Sequence, residues 1–291
     1  MVHMAMDKVS ASAFPSNLPP YVRVPRKGPL GINRHVWRCL ILLVVLLLLG
    51  GSAWLAKVDL GRLVQNAPRI GLWVSRIFPP YDNFRSPPNS TELNTYLYNA
   101  LTTVAIATIG TAAAAVLAVI PAVFATRTLT SSNWIFYPTR WLLNVLRGID
   151  SFIFALFFVA AVGLGPFAGV LGIAFHTWGS MAKLYAENLE NTELAPMLAL
   201  QSSGVSRPRA LLYALLPDAL PSFISTTLFV WELNVRLSVA LGVVGAGGIG
   251  QDVKNAIDLL NFPHLGVLLL IILVMVTVID QISTRLRAAL R

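Results

Sequence analysis

The chain has 291 residues, of which 56% are hydrophobic and only 12% charged, with a formal net charge of +9. Its mean hydropathy is +0.68, whereas soluble domains carry about 25% charged residues. That composition argues against a soluble enzyme, and it excludes a disordered chain, which needs low hydrophobicity. The single cysteine, Cys39, cannot form an internal disulfide, and no Cys/His cluster suggests a zinc site.

A helix that crosses a bilayer needs about 20 apolar residues. Residues 1–37 form a basic, Pro-rich tail carrying Arg23, Arg26, Lys27 and Arg34. Membrane anchoring explains its charge better than nucleic acid does, because it has few aromatics and no binding-fold pattern. Cys39 to Ala56 is uncharged between Arg38 and Lys57, with Trp37 and Trp54 near its two ends, so 38–57 is expected to be a retained anchor helix. Residues 58–95 are expected to form an extracytoplasmic loop, and 96–291 the core.

The second span is expected from Asn99 to Thr126, where small residues suit close packing in lipid and Pro121 should kink or end the helix. The third should begin near Trp141 and stop at Gly163-Leu164-Gly165-Pro166. The fourth should run from about Phe167 to Leu184. Ala219 to Leu241 and Leu265 to Ile282 complete six spans. With both termini in the cytoplasm, 14 Lys and Arg fall on inside segments and six outside. The positive-inside bias favours that orientation.

Two pairs of charges fall within or beside spans. Arg147 and Asp150 are three apart, and Glu232 and Arg236 four apart. Either spacing puts a pair on one helix face. Each pair can simply neutralise itself and lock helices together. The sharper reading is that Arg236 and Arg147 face a translocation path, where a guanidinium can grip an oxyanion through two bonds. Asn234 and Ser238 accompany Arg236 in this candidate pathway. Near the fourth span's end, His176 reads as a packed polar residue. Glu187, Glu190 and Glu193 read as a solvated acidic face.

Gly245, Gly247, Gly248 and Gly250 make a glycine-rich string after the fifth span. It satisfies G-x-G-x-x-G, but a dinucleotide site needs a preceding strand, and here a span precedes it. The remaining readings are flexible packing at a helix end, or free backbone N–H groups that favour an anion.

Between the fourth and fifth spans lies a polar loop, about 185–217. Pro196 suits a first helical turn and Gly204 a left-handed cap. Ser206 can cap a second helix that has Pro208 in its first turn, and Pro217 should end it. Two short helices there would make a knob for a partner's groove.

The spacing from Gly204 through nine residues to Ala214-Leu215-Leu216-Pro217 resembles the cytoplasmic loop motif of binding-protein-dependent ABC importer permeases. That motif begins Glu-Ala-Ala, and the matching positions here are Leu198, Ala199 and Leu200. The strings from Phe158 to Leu171, Asn234-Val-Arg236-Leu-Ser238 and Val244 to Gly250 resemble the phosphonate permease branch. The likeness runs from about Tyr96 to the C-terminus.

The resemblance implies an all-α membrane protein with the type I importer permease fold. It implies a homodimer of permease chains, two cytoplasmic ABC ATPase subunits and an extracytoplasmic phosphonate-binding protein, in a bacterial inner membrane. Leu198, Ala199, Leu200, Gly204, Leu216 and Pro217 would then couple to the ATPase. ATP and magnesium would sit on that partner, since this chain lacks G-x-x-x-x-G-K-[ST]. The implied cargo is a phosphonate, phosphite or phosphate. An ion-coupled secondary transporter and a permease for another small solute are the alternatives. An embedded enzyme finds no nucleophile elbow or metal cluster to work with.

Overall fold

A computed structural model describes residues 34–57, 59–77, 88–130 and 132–290. Most of the basic tail, Arg23, Arg26 and Lys27 included, lies outside the described residues. Among those described, every regular element is a helix. They divide into two compact units at Pro68.

The first unit holds α1 (Arg34–Leu55) and the start of α2 (Leu60–Ile77). From Leu40 to Leu49 each apolar side chain of α1 is exposed, as in a span that faces lipid.

In the second unit α3 (Ser90–Ala125) is 36 residues long. Its first turn is fixed by Glu92, whose carboxylate accepts from the Asn89 N–H at 2.8 Å. One stripe of small residues is buried along it, including Ala107, Gly110, Ala114, Ala118 and Ala122. Small side chains let backbones approach, which replaces the hydrophobic drive that lipid does not supply. The helix filling that stripe is α6 (Pro166–Asn191). A Cβ on Gly110 would stand 2.8 Å from an Ile173 methyl of α6.

Pro121 does not end α3, which continues to Ala125. A proline leaves the carbonyl four residues earlier without its helical donor. That carbonyl belongs to Leu117, and Trp178 of α6 donates its indole Nε1–H to it at 3.0 Å. A tertiary hydrogen bond thus replaces the lost local one.

The third expected span is two helices. α4 (Asn133–Gly148) and α5 (Ser151–Val162) meet at a bend of 81°. The Asp150 carboxylate caps α5 by accepting from the Phe152 N–H at 2.8 Å. His176 of α6 lies 2.9 Å from the Ile149 carbonyl through Nδ1. A carbonyl only accepts, so Nδ1 carries the proton there. The break is therefore stitched from both sides.

After α6 come α7 (Ala195–Ser202), α8 (Arg207–Ala210), a π-helical turn over Leu211–Leu215, and α9 (Leu216–Leu241). A second π turn, Gly242–Ala246, leads to α10 (Ile249–Asp258), and α11 (Phe262–Ala289) follows. Pro217 sits at the start of α9 rather than at a stop, and the helix runs on through Pro221. Just ahead of Pro217 the ladder widens, with the Leu216 N–H reaching back five residues to the Leu211 carbonyl.

Among the described residues, four helices are long and apolar enough to cross a membrane: Trp37–Leu55, Ser90–Ala125, the continuous Arg207–Ala246 and Phe262–Ala289. The α4–α5 pair makes a fifth if it counts as one span. The expected fourth span, α6, is not among them. It packs against α3, α4, α5 and α9, so protein rather than lipid surrounds much of it and fewer apolar residues suffice.

Candidate functional site

The Glu232–Arg236 pair forms as its spacing predicts. Arg236 Nη2 donates to Glu232 Oε1 at 2.7 Å. Arg287 of α11 adds what local spacing could not reveal: its Nη2 donates to Glu232 Oε2 at 2.9 Å. Asp280, also on α11, stands 3.8 Å from Arg236. The Glu232 side chain is 8% exposed, while that of Arg236 is 44% exposed. Four charges of balanced sign thus join α9 to α11 around the enclosed Glu232, where an unpaired charge would be costly.

Arg147 and Asp150 do not make the pair that their spacing suggested. Gly148 is the last residue of α4, and Ile149 is extended. Asp150 caps α5 instead, so the two residues share no helix face, and no ion pair joins them among the described residues.

Asn234 and Ser238 lie on another face of α9. Asn234 Nδ2 donates to Thr111 Oγ1 of α3 at 2.8 Å and to Thr177 Oγ1 of α6 at 3.0 Å. Ser238 Oγ donates to the Thr103 carbonyl at 3.1 Å. Both residues are buried. The structure therefore turns them toward neighbouring helices and away from Arg236. Thr103 was not singled out in the sequence, yet its hydroxyl also accepts from the Ile249 N–H at 2.9 Å. It fixes α10 against α3.

The glycine string forms a buried corner between the second π turn and α10. The Gly165 N–H donates to the Gly245 carbonyl at 2.9 Å, so the strings around Pro166 and Gly247 meet in space. Gly247 and Gly248 both have left-handed φ, 78° and 74°. At Gly250 a Cβ would collide with the Val239 carbonyl oxygen and stand 2.9 Å from Gly242 Cα. Close packing thus accounts for much of this string. Gly247 and Gly248 also border an open cleft of about 380 Å³, lined by Asn99, Thr102, Gln251 and Asp252. Asn99 Nδ2 donates to Asp252 Oδ2 at 2.7 Å. Burial pushes the Asp252 carboxyl above its usual range, and the Asn99 bond offsets part of that.

α7 presents the candidate coupling surface. Pro196 lies in its first turn, and Gly204 closes it with φ 87°. The Gly204 N–H donates to the Gln201 carbonyl at 3.0 Å, and Val205 to Leu200 at 3.2 Å. Ser206 takes the N-cap position of α8 without a side-chain cap bond. Leu198 is 56% exposed, a large apolar side chain left in the open. Ala199 is exposed as well, while Leu200 and Leu216 pack partly against the core.

Glu190 departs from the solvated face expected of it. It accepts from the Arg127 N–H and from Arg140 Nη2, both at 2.8 Å. Both guanidiniums lie over the Phe136 ring. This cluster ties the α3–α4 connection to the end of α6.

Residues 114–291 match the family described as "Binding-protein-dependent transport system inner membrane component". The chain belongs to that family of membrane transport components. It is 41% identical over 244 residues to the putative phosphite transport system permease protein HtxC of Stutzerimonas stutzeri, covering 84% of each chain. It is 33% identical over 260 residues to the phosphite transport system permease protein PtxC of the same organism, covering 89% of this chain and 90% of that one. Its fold resembles a chain of the MetNI methionine ABC transporter in an inward-facing conformation. That match has a TM-score of 0.62 at 18% identity and covers 70% of this chain and 99% of the other.

Proposed function

We propose that this chain is the membrane-spanning subunit of an ATP-driven importer for a phosphorus oxyanion, namely phosphite, a phosphonate or phosphate. The observation that carries this is the 41% identity, over 84% of both chains, to a putative phosphite permease. In this reading two copies pair in a bacterial inner membrane with both termini in the cytoplasm. Each copy crosses six times, with the bent α4–α5 pair and α6 as its third and fourth spans.

Two ATPase subunits hold ATP and magnesium and dock on α7 through Leu198 and its neighbours. A binding protein delivers the anion from outside. Closure of the ATPases pulls on α7, and the π turn joining α8 to α9 passes that motion into the span. Arg236 then meets the anion, which a guanidinium binds by charge-assisted hydrogen bonds. Glu232 competes for the same guanidinium, so the anion is held weakly enough to leave.

Co-purification from native membranes tests the reading. Mild extraction should bring down an ABC ATPase and a binding protein that holds a phosphorus oxyanion. Recovery of the permease with no ATPase would contradict it.

A further inference from the structure

Glu232 has two cationic partners, and they differ in how firmly they are held. Arg287 is the fixed one. Its side chain is 25% exposed. Besides Glu232, it donates through Nε to the Ser283 carbonyl and through Nη2 to Thr284 Oγ1, both at 3.4 Å. Its guanidinium also lies over the Phe229 ring. Arg236 is the loose one. Apart from Glu232 it has Asp280 at 3.8 Å, and nearly half of its side chain is exposed.

A carboxylate as enclosed as Glu232 cannot be left without a counter-charge at low cost. If Arg236 were its only partner, each turn of Arg236 toward a passing anion would strand that carboxylate. The two guanidiniums use different oxygens of Glu232, so one can leave while the other stays.

The geometry points to Arg287 as a positioning residue for anion passage. It keeps Glu232 compensated, so that the Arg236 guanidinium is free to turn to the oxyanion. Glu232 Oε1 and Asp280 then draw Arg236 back when the anion moves on. This rests on the proposed role of Arg236, and it extends the site to two α11 residues that contact no substrate.

The test uses the whole importer, permease with its ATPase and binding protein, in proteoliposomes. The probe is whichever of phosphite, methylphosphonate and phosphate the wild type takes up fastest. Arg287→Gln should lower uptake at least about tenfold, because it strands Glu232. The double variant Glu232→Gln with Arg287→Gln should assemble and take up at least about threefold more than Arg287→Gln, since a neutral amide needs no counter-charge, yet stay below wild type because only Asp280 is left to draw Arg236 back. Arg236→Gln should lose uptake whether or not Glu232 is also changed.

Undiminished uptake by Arg287→Gln would overturn the inference. So would a double variant that transports or assembles no better than Arg287→Gln, because Arg287 would then be a plain lock between α9 and α11. Wild-type uptake by Arg236→Gln would instead sink the underlying role of Arg236.

Discussion

Asn234 spends both of its amide hydrogens on threonines of two other helices. Interhelical side-chain bonds in membranes contribute about 0.6 kcal/mol each on average. Asn234→Ala should therefore cost about 1 kcal/mol, read as a lower melting temperature in detergent, with uptake per assembled complex retained. An unchanged melting temperature with lost uptake would put Asn234 in the pathway instead. Asp252 offers a pH test. Its folded pKa is raised, so its neutral form suits the fold and its contribution to stability is greatest at acid pH. That contribution fades as pH rises from the ordinary carboxylate value of about 4 through the raised one. Wild type should lose melting temperature relative to Asp252→Asn over that rise, and a difference that does not vary with pH would refute this. The Glu232–Arg236 pair could be read from its spacing, because four residues make one helical turn. Arg287 could not, since it reaches Glu232 from 55 residues away. Arg147 and Asp150 misled for a related reason: spacing implies a shared face only while the helix continues.

Among the elements, α10 depends on the bare backbone of Gly250. Gly250→Ala has no side-chain tip to displace, only backbone of α9 and the π turn. Overpacking of this kind costs about 1–3 kcal/mol. The variant should melt lower than wild type, and an equal melting temperature would mean that the corner is looser than drawn. α7 carries the opposite sort of prediction, at a surface. Burying an exposed leucine is worth about 1.5–3 kcal/mol. Leu198→Asp should therefore weaken recovery of the ATPase by at least about tenfold, while the permease alone keeps its melting temperature. Full recovery of the ATPase would remove Leu198 from the docking surface. The limits of α7 were legible because Pro196 and Gly204 act locally. The fates of Pro121 and Pro217 were not. Trp178 supplies the donor for the Leu117 carbonyl from another helix, and a π turn re-forms the ladder ahead of Pro217. Both are departures that a rule about prolines alone does not contain.

On the scale of the molecule, the membrane class followed from composition, because a chain 56% hydrophobic and 12% charged needs lipid to cover it, while the all-α permease fold was implied by the resemblance. The span count did not follow as simply. α6 lies among four other helices and α5 is only 12 residues long, so neither looks like an isolated apolar crossing. The strings around Gly165 and Gly245 stand about 80 residues apart in sequence, yet they form one corner joined by a backbone hydrogen bond. The most direct measurement is uptake by the purified importer in proteoliposomes, comparing phosphite, methylphosphonate and phosphate with methionine. The account predicts accumulation of at least one phosphorus oxyanion that requires both ATP and the binding protein, with no accumulation of methionine. Accumulation of methionine alone, or oxyanion uptake that persists without ATP, would contradict it.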